Sequence, residues 1–282
     1  MKIALTICLM LPAIVPCLHA QEDSLQTTRY VVHATTFGAG RANIFETYLS
    51  PLEYTGQSIR IMHERIKMTR LMDGHVSAQN IFQINASHTK NPAKSATTYA
   101  GLLNWSYTLH YQWQQNNKLK ILFGPMLELN GGVVYNERNS NNPAQAKAYG
   151  GFGASGMLIY KFNIRNCPFI LRYQANLPLL NLMFSPEYGE SYYEIFTLKN
   201  KGNHVLFTSL HNAPSLRQML TLDFPIRKSI IRIGYVCDIQ QAKVNNLKSH
   251  AYSHDFMIGF VKNFYLLKGK RKISIPITNS PF

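Results

Sequence analysis

Between Tyr99 and Trp113 the chain alternates with a period of two. Tyr99, Gly101, Leu103, Trp105, Tyr107, Leu109, Tyr111 and Trp113 share one parity, and Ala100, Leu102, Asn104, Ser106, Thr108, His110 and Gln112 share the other. A helical template fails, because the i+7 and i+11 positions from Tyr99 fall on Ser106 and His110. The pattern is that of a strand with one apolar and one polar face. About 15 residues at roughly 3.3 Å each is far longer than an ordinary globular strand.

The alternation recurs. Leu119, Ile121, Phe123, Leu127 and Leu129 oppose Lys120, Glu128 and Asn130, and Phe169, Leu171, Tyr173 and Ala175 oppose Arg172, Gln174 and Asn176. Ile231, Ile233, Tyr235, Cys237 and Ile239 oppose Arg232, Gly234 and Asp238, and Phe256, Ile258, Phe260 and Phe264 oppose Asp255, Gly259 and Asn263. Long strands of this kind, with aromatic residues towards their ends, predict an all-β, antiparallel, up-and-down transmembrane β-barrel. The spacing predicts about 12 strands: 28–40, 57–70, 75–88, 98–113, 118–135, 145–163, 167–176, 191–198, 203–211, 215–225, 229–240 and 250–266.

An even strand number puts both ends on one side. The connections at 71–74, 114–117, 165–166, 200–202 and 226–228 then become short turns. The opposite set, 41–56, 89–97, 136–144, 177–190 and 241–249, is longer and rich in Asn, Ser, Pro and Gly, with a tight exception at Asn212-Ala213-Pro214. Three places resist the scheme. Pro125 cannot donate to a ladder, so a bulge or irregular pairing is expected there. Lys262 falls on the apolar face, which requires a position near the interface. The segment 58–69 fits worst, mixing Met62, Ile66 and Met68 with Arg60 and Glu64 on one face.

Composition agrees with lipid as one solvent. Only 15% of the 282 residues are charged while 46% are hydrophobic, against roughly 25% charged in a typical soluble domain. Met1-Lys2, the apolar run from Ile3 to Val15 and the Leu18-His19-Ala20 end read as a secretory signal peptide cleaved after residue 20. A barrel over 21–267 and a basic tail over 268–282, opening Lys268-Gly269-Lys270-Arg271-Lys272, complete the organisation; the tail reads as a solvated, partly disordered end in preference to a contact for anionic headgroups or a periplasmic partner. The mature chain keeps Cys167 and Cys237 only, too few for a disulfide framework.

The segment Gly38 to Gly56, most distinctively Thr47-Tyr48-Leu49-Ser50-Pro51-Leu52-Glu53-Tyr54-Thr55-Gly56, resembles an uncharacterised family of Bacteroidota outer-membrane proteins catalogued as a domain of unknown function. Phe256-Met257-Ile258-Gly259-Phe260 with Phe264-Tyr265 is similar to that family's final strand. The resemblance spans nearly the whole mature chain and implies an outer-membrane barrel. It implies no activity.

The candidate chemistry is correspondingly sparse. Lys120, Lys147, Lys161, Arg172, Arg217 and Arg232 fall on predicted inward faces against Glu128, Asp223 and Asp238, which suggests a basic lumen lined by these nine residues. Two functions follow from it: a small channel admitting anionic solutes, or a barrel whose interior is simply filled. A reading of another class is a binding or adhesion surface on loops 41–56 and 177–190, where Tyr48, Tyr54, Tyr188, Tyr192 and Tyr193 either contact a partner or form an interfacial girdle. A barrel lipid hydrolase is a weaker reading, since no G-x-S-x-G or H-E-x-x-H motif occurs and Ser106 and His110 lie about 13 Å apart along one strand. No cofactor or metal is expected. The expected partner is outer-membrane lipid around a monomer, and dispersed cations argue against nucleic acid.

Overall fold

The computed structural model describes residues 29–116, 118–140, 142–165, 167–198, 202–227, 229–266 and 272–274. The proposed signal peptide and most of the basic tail lie outside these residues. Seven long strands follow in sequence: β1 (Arg29–Glu46), β2 (Glu53–Met68), β3 (Val76–Lys90), β4 (Thr97–Gln114), β5 (Leu119–Asn136), β6 (Ala144–Ile164) and β7 (Cys167–Phe184). After the short helix α1 (Tyr192–Phe196) come β8 (Val205–Ser209), β9 (Ser215–Ile226), β10 (Ser229–Val244), β11 (Leu247–Leu266) and the three-residue β12 (Lys272–Ser274).

Every pairing is antiparallel, and ten strands close a ring in the order β1 to β7, β9, β10, β11 and back to β1. The seam between β1 and β11 runs from Arg29 opposite Leu266 to Glu46 opposite Ser249. The alternation read from the sequence decides inside from outside. Asp255 is fully buried while its neighbour Phe256 is 73% exposed. Ile59, Leu103, Leu129, Phe152, Leu182, Phe207, Ile258 and Phe260 share that outward exposure. Backbone groups satisfied in a closed ring, with apolar side chains outside, are the arrangement a lipid solvent requires.

The count of twelve strands is corrected to ten closing strands. Residues 191–198 contain no strand, because Ser191 and Glu194 form a capping box that starts α1, and Tyr192 stacks on Phe196 with ring centroids 6.2 Å apart. The segments 203–211 and 215–225 are both present, as β8 and β9, but they share one place in the ring. β8 pairs Leu180–Phe184 of β7 and β9 pairs Ile170–Asn176 of the same strand. They run end to end along one edge, separated by an excursion over Leu210–Pro214. β12 pairs with Phe264–Leu266 of β11, beyond the last β10 partner at Val261.

One end of the barrel, the turn end, carries short connections around 69–75, 115–118, 165–166 and 227–228. The loop end carries those at 47–52, 91–96, 137–143 and 185–204. Several boundaries therefore shift. β1 and β2 take most of the 41–56 loop, β7 runs to Phe184, and the connection containing Gly202 lies at the loop end rather than among the short turns. The 241–249 loop is a tight hairpin in which Asn245 and Asn246 both take positive φ. At Pro125 the β4 ladder is interrupted without a register shift, resuming at Tyr111 opposite Phe123. The register shift occurs instead in β7, where Phe152 pairs Leu180 and Gly153 pairs Pro178. Gly151 and Gly153 flank it because a Cβ there would lie 2.0 Å from the Leu180 carbonyl oxygen and 2.4 Å from that of Leu177.

Candidate functional site

The interior is filled in layers, and the inward residues of β2 read through them in order: Ile66, Glu64, Met62 and Arg60. At the turn end Tyr30, Val32, Ala34, Ile66, Leu122, Met157, Ile159, Ile170, Ile230 and Val261 form an apolar floor. Above it, Arg172 Nη2 donates to both Glu64 oxygens at 2.7 and 2.8 Å, and Arg232 holds Asp223 with two parallel bonds of 2.6 and 2.7 Å while also donating to Glu64. Gln79 and Gln174 exchange reciprocal amide bonds at 2.9 and 2.8 Å beside them.

Met62, Ile81, Met219, Val236 and Met257 form an apolar cluster between this layer and a second set of ion pairs. There Arg60 Nε donates to Asp255 at 2.7 Å and Arg60 Nη1 to Gln83 at 2.6 Å, and Ser58 donates to the same carboxylate at 2.5 Å. Arg217 Nε donates to Asp238 at 3.1 Å, and its Nη1 reaches Asn104 at 2.9 Å and Glu128 at 3.5 Å. Planar guanidinium groups suit this, since each satisfies several acceptors from one rigid fork. Buried pairs of this kind offset their desolvation only when the remaining donors and acceptors are also satisfied.

His110, on the fully buried inward face of β4, meets Ser155 rather than Ser106: its Nε2 lies 3.0 Å from Ser155 Oγ. Ser155 donates on to Asn176 Oδ1 at 2.7 Å. A serine nucleophile would need the histidine oriented through its other nitrogen and a route for substrate. Among the described residues Nδ1 of His110 has no hydrogen-bond partner, and the residue is fully buried. The geometry makes a hydrogen-bond chain across the interior. Among the described residues, no group of three or more His, Cys, Asp or Glu is placed to hold a metal ion.

The loop end is covered. Tyr48 donates to the Glu190 carbonyl at 2.7 Å and packs edge-on against Tyr192, whose hydroxyl reaches Gln145 at 2.9 Å and accepts from the Ala146 amide at 2.7 Å. With Ile44, Leu49, Ala100, Val134 and Leu247 these residues close the barrel over the upper ion pairs. Burial, reinforced by Tyr192 and the carboxylates of Glu190 and Glu194, pushes the Tyr48 phenol up to about 12. Beneath this lid lie two small cavities. One of about 20 Å³ is bordered by Arg60, Gln83, Asn130, Tyr149 and Asp238, and one of about 40 Å³ by Glu46, Lys147, Met183, Gln240 and His250. Lys147 donates to Glu46 between them. The water-accessible space in each is that of a few waters. Tyr48 and Tyr54 are thus buried, while Tyr188 and Tyr193 are exposed at 73% and 63%.

All nine residues proposed from the sequence point inward. Glu128, Arg172, Arg217, Asp223, Arg232 and Asp238 are buried; Lys120, Lys147 and Lys161 are half-buried nearer the two ends. Arg60, Glu64 and Glu46, which the nine did not include, also point inward, as does Asp255, which the sequence already set on the polar face of its strand. Their inclusion brings the interior close to charge balance: among the described residues it holds seven cations, with Arg60 added to the six expected, and six carboxylates, with Glu46, Glu64 and Asp255 added to the three expected. The signal was present in β2, whose mixed parity of Arg60, Met62, Glu64 and Ile66 is the inward face, while Ile59, Ile61, His63 and Arg65 are exposed. The excess positive charge sits at the turn end instead. Every short turn there carries an exposed cation, Arg70, Lys118, Arg165 or Arg227, and Arg65, Lys67 and Lys262 stand on the nearby outer wall. Asp73 is the single carboxylate among the described residues of these turns.

Against known proteins, the family described as "Protein of unknown function (DUF3316)" matches residues 3–271. The chain belongs to that family. No curated protein matches the sequence. Among solved structures, the fold is similar to the transport unit of the autotransporter AIDA-I from Escherichia coli, at 8% identity and a TM-score of 0.39, covering 86% of this chain and 93% of that one. It is also similar to the beta domain of the Bordetella autotransporter BrkA, at 12% identity and a TM-score of 0.40, covering 82% and 98% respectively. The COG4313 outer membrane channel from Pseudomonas putida F1 is similar at 9% identity and a TM-score of 0.35, covering 87% and 100%.

Proposed function

We propose that this family member is a monomeric outer-membrane β-barrel that stands in the lipid as a sealed, internally ion-paired body. The observation that carries the reading is the opposition of its two surfaces. Outward residues such as Phe152, Phe256 and Ile258 are apolar and exposed, whereas the arginines and carboxylates inside are buried. An outer wall of this kind is costly in water and favourable in hydrocarbon. Rings at the turn end strengthen it: Phe162 stacks on Phe169 at 5.5 Å between Tyr160 and Phe224, an aromatic belt of the interfacial type.

A channel for anionic solutes is the less supported alternative, because paired guanidinium groups and the apolar floor occupy the cross-section. Planar-bilayer recording tests the choice. The sealed barrel inserts without conductance steps; regular steps with anion selectivity overturn it in favour of a channel. A binding surface on the loop end has one observation in its favour, the exposed Tyr188, Tyr193 and Phe196 around α1. Deletion of residues 186–198 tests it, since a binder loses its ligand while the barrel still folds.

A further inference from the structure

The charge that the interior does not hold lies on the outside. On the outer wall near the turn end, Arg65, His33 and Lys262 form one row across β2, β1 and β11, with His33 opposite both of the others. Adjacent strands lie about 4.8 Å apart, so the Arg65 and Lys262 backbones stand roughly 10 Å apart with the imidazole between. Lys67 follows Arg65 on the same face. Ile59 and Ile61 precede His63 and Arg65, and Phe256, Ile258 and Phe260 precede Lys262, beyond which Phe264 sets its ring edge-on to His33 at 6.1 Å. No acidic side chain shares this outward patch among the described residues.

We propose that this row is a binding site for the phosphate of an anionic phospholipid in the leaflet at the turn end. The proposal rests on the membrane reading above and deepens it. Cations facing hydrocarbon are expensive unless they snorkel to a headgroup, and a phosphodiester placed between Arg65 and Lys262 neutralises both while its acyl chains continue along Phe260 and Ile61. Arginine supplies a two-pronged grip on phosphate oxygens that lysine lacks. A water-soluble anion would be drawn equally to the exposed turn cations. A lipid accounts for cations set in the wall itself, two residues from an exposed phenylalanine.

The test refolds the protein into phosphatidylethanolamine vesicles containing equal phosphatidylglycerol and phosphatidylcholine, then counts co-purifying lipid by native mass spectrometry after detergent extraction. Wild-type protein is expected to retain phosphatidylglycerol in preference. The double variant Arg65→Gln/Lys262→Gln is expected to lose that preference, each neutralised charge lowering the ratio roughly fivefold. Lys90→Gln/Lys248→Gln at the loop end is expected to leave it unchanged. Equal preference in the wild type and the Arg65/Lys262 variant overturns the site, as does a wild type without preference. Insertion is read separately by protease protection: protein that inserts but shows no preference overturns the site alone, and protein that fails to insert overturns the membrane reading with it.

Discussion

Glu64 on β2 accepts two hydrogen bonds from Arg172 on β7, at 2.7 and 2.8 Å, although 108 residues separate them in the chain. Arg232 shares the same carboxylate while gripping Asp223. Removing Glu64 leaves Arg172 without its carboxylate in a buried setting. Glu64→Gln is therefore expected to lower barrel stability by about 3–5 kcal/mol. Urea unfolding in detergent measures this, with the exposed Glu53→Gln as a control expected to change stability by less than about 0.5 kcal/mol.

Closure depends on the near contact of β1 and β11. A Cβ on Gly259 would lie 2.0 Å from the Thr35 carbonyl oxygen and 2.6 Å from the Thr36 Cα, both backbone atoms that cannot swing aside. Gly259→Ala is expected to cost at least about 1–3 kcal/mol. The compact band in unheated electrophoresis should weaken or vanish; an unchanged band would show that the seam tolerates a methyl group.

Acid should loosen the helix over the loop end. Hydrogen bonds from the Ser191 amide and hydroxyl hold the Glu194 carboxyl below the usual carboxylate range. A carboxyl whose folded pKa is depressed contributes stability above its unfolded pKa and loses it as pH falls through the folded value. Amide exchange over residues 190–198 is expected to quicken at the acid end of that window. Ser191→Ala should show the faster exchange already at neutral pH.

Alkali should act on the same lid through Tyr48. Its phenol is raised to about 12, so its contribution is complete below the ordinary tyrosine value near 10 and is lost as pH rises through about 12. The difference in ultraviolet titration between wild type and Tyr48→Phe should isolate one phenol with a midpoint near 12. Tyr48→Phe also removes the bond to Glu190, at a cost of about 1 kcal/mol.

The wall was legible in the sequence because lipid imposes a strict period of two, and β4 from Tyr99 to Trp113 shows it cleanly. The interior was less legible. Arg60 and Glu64 share a face with Met62 and Ile66, since a filled barrel alternates charged and apolar layers along one parity, and that mixture weakens the contrast pattern reading depends on. Residues 191–198 misled for a local reason: apolar and aromatic residues over so short a span suit a strand or one helical turn equally, and the Ser191–Glu194 box decides for the helix. The two-part strand β8 and β9 could not be merged from sequence, because Pro214 and the preceding turn residues look like any other connection. The partners of Glu64 were invisible for a geometric reason, since they arrive from across the barrel.

The seam has a temporal consequence. Residues 29–46 pair with 249–266, so the ring cannot close until the chain has been made as far as β11. Until then Glu64, Arg172 and Arg232 have no fixed partners and stay hydrated, and the unpaired edges of β1 and β11 stay open. Assembly must therefore proceed with an unsealed intermediate whose final step shuts the strands and dries the ion pairs together, so a chain truncated before β11 should never give a partly formed barrel that persists in the membrane.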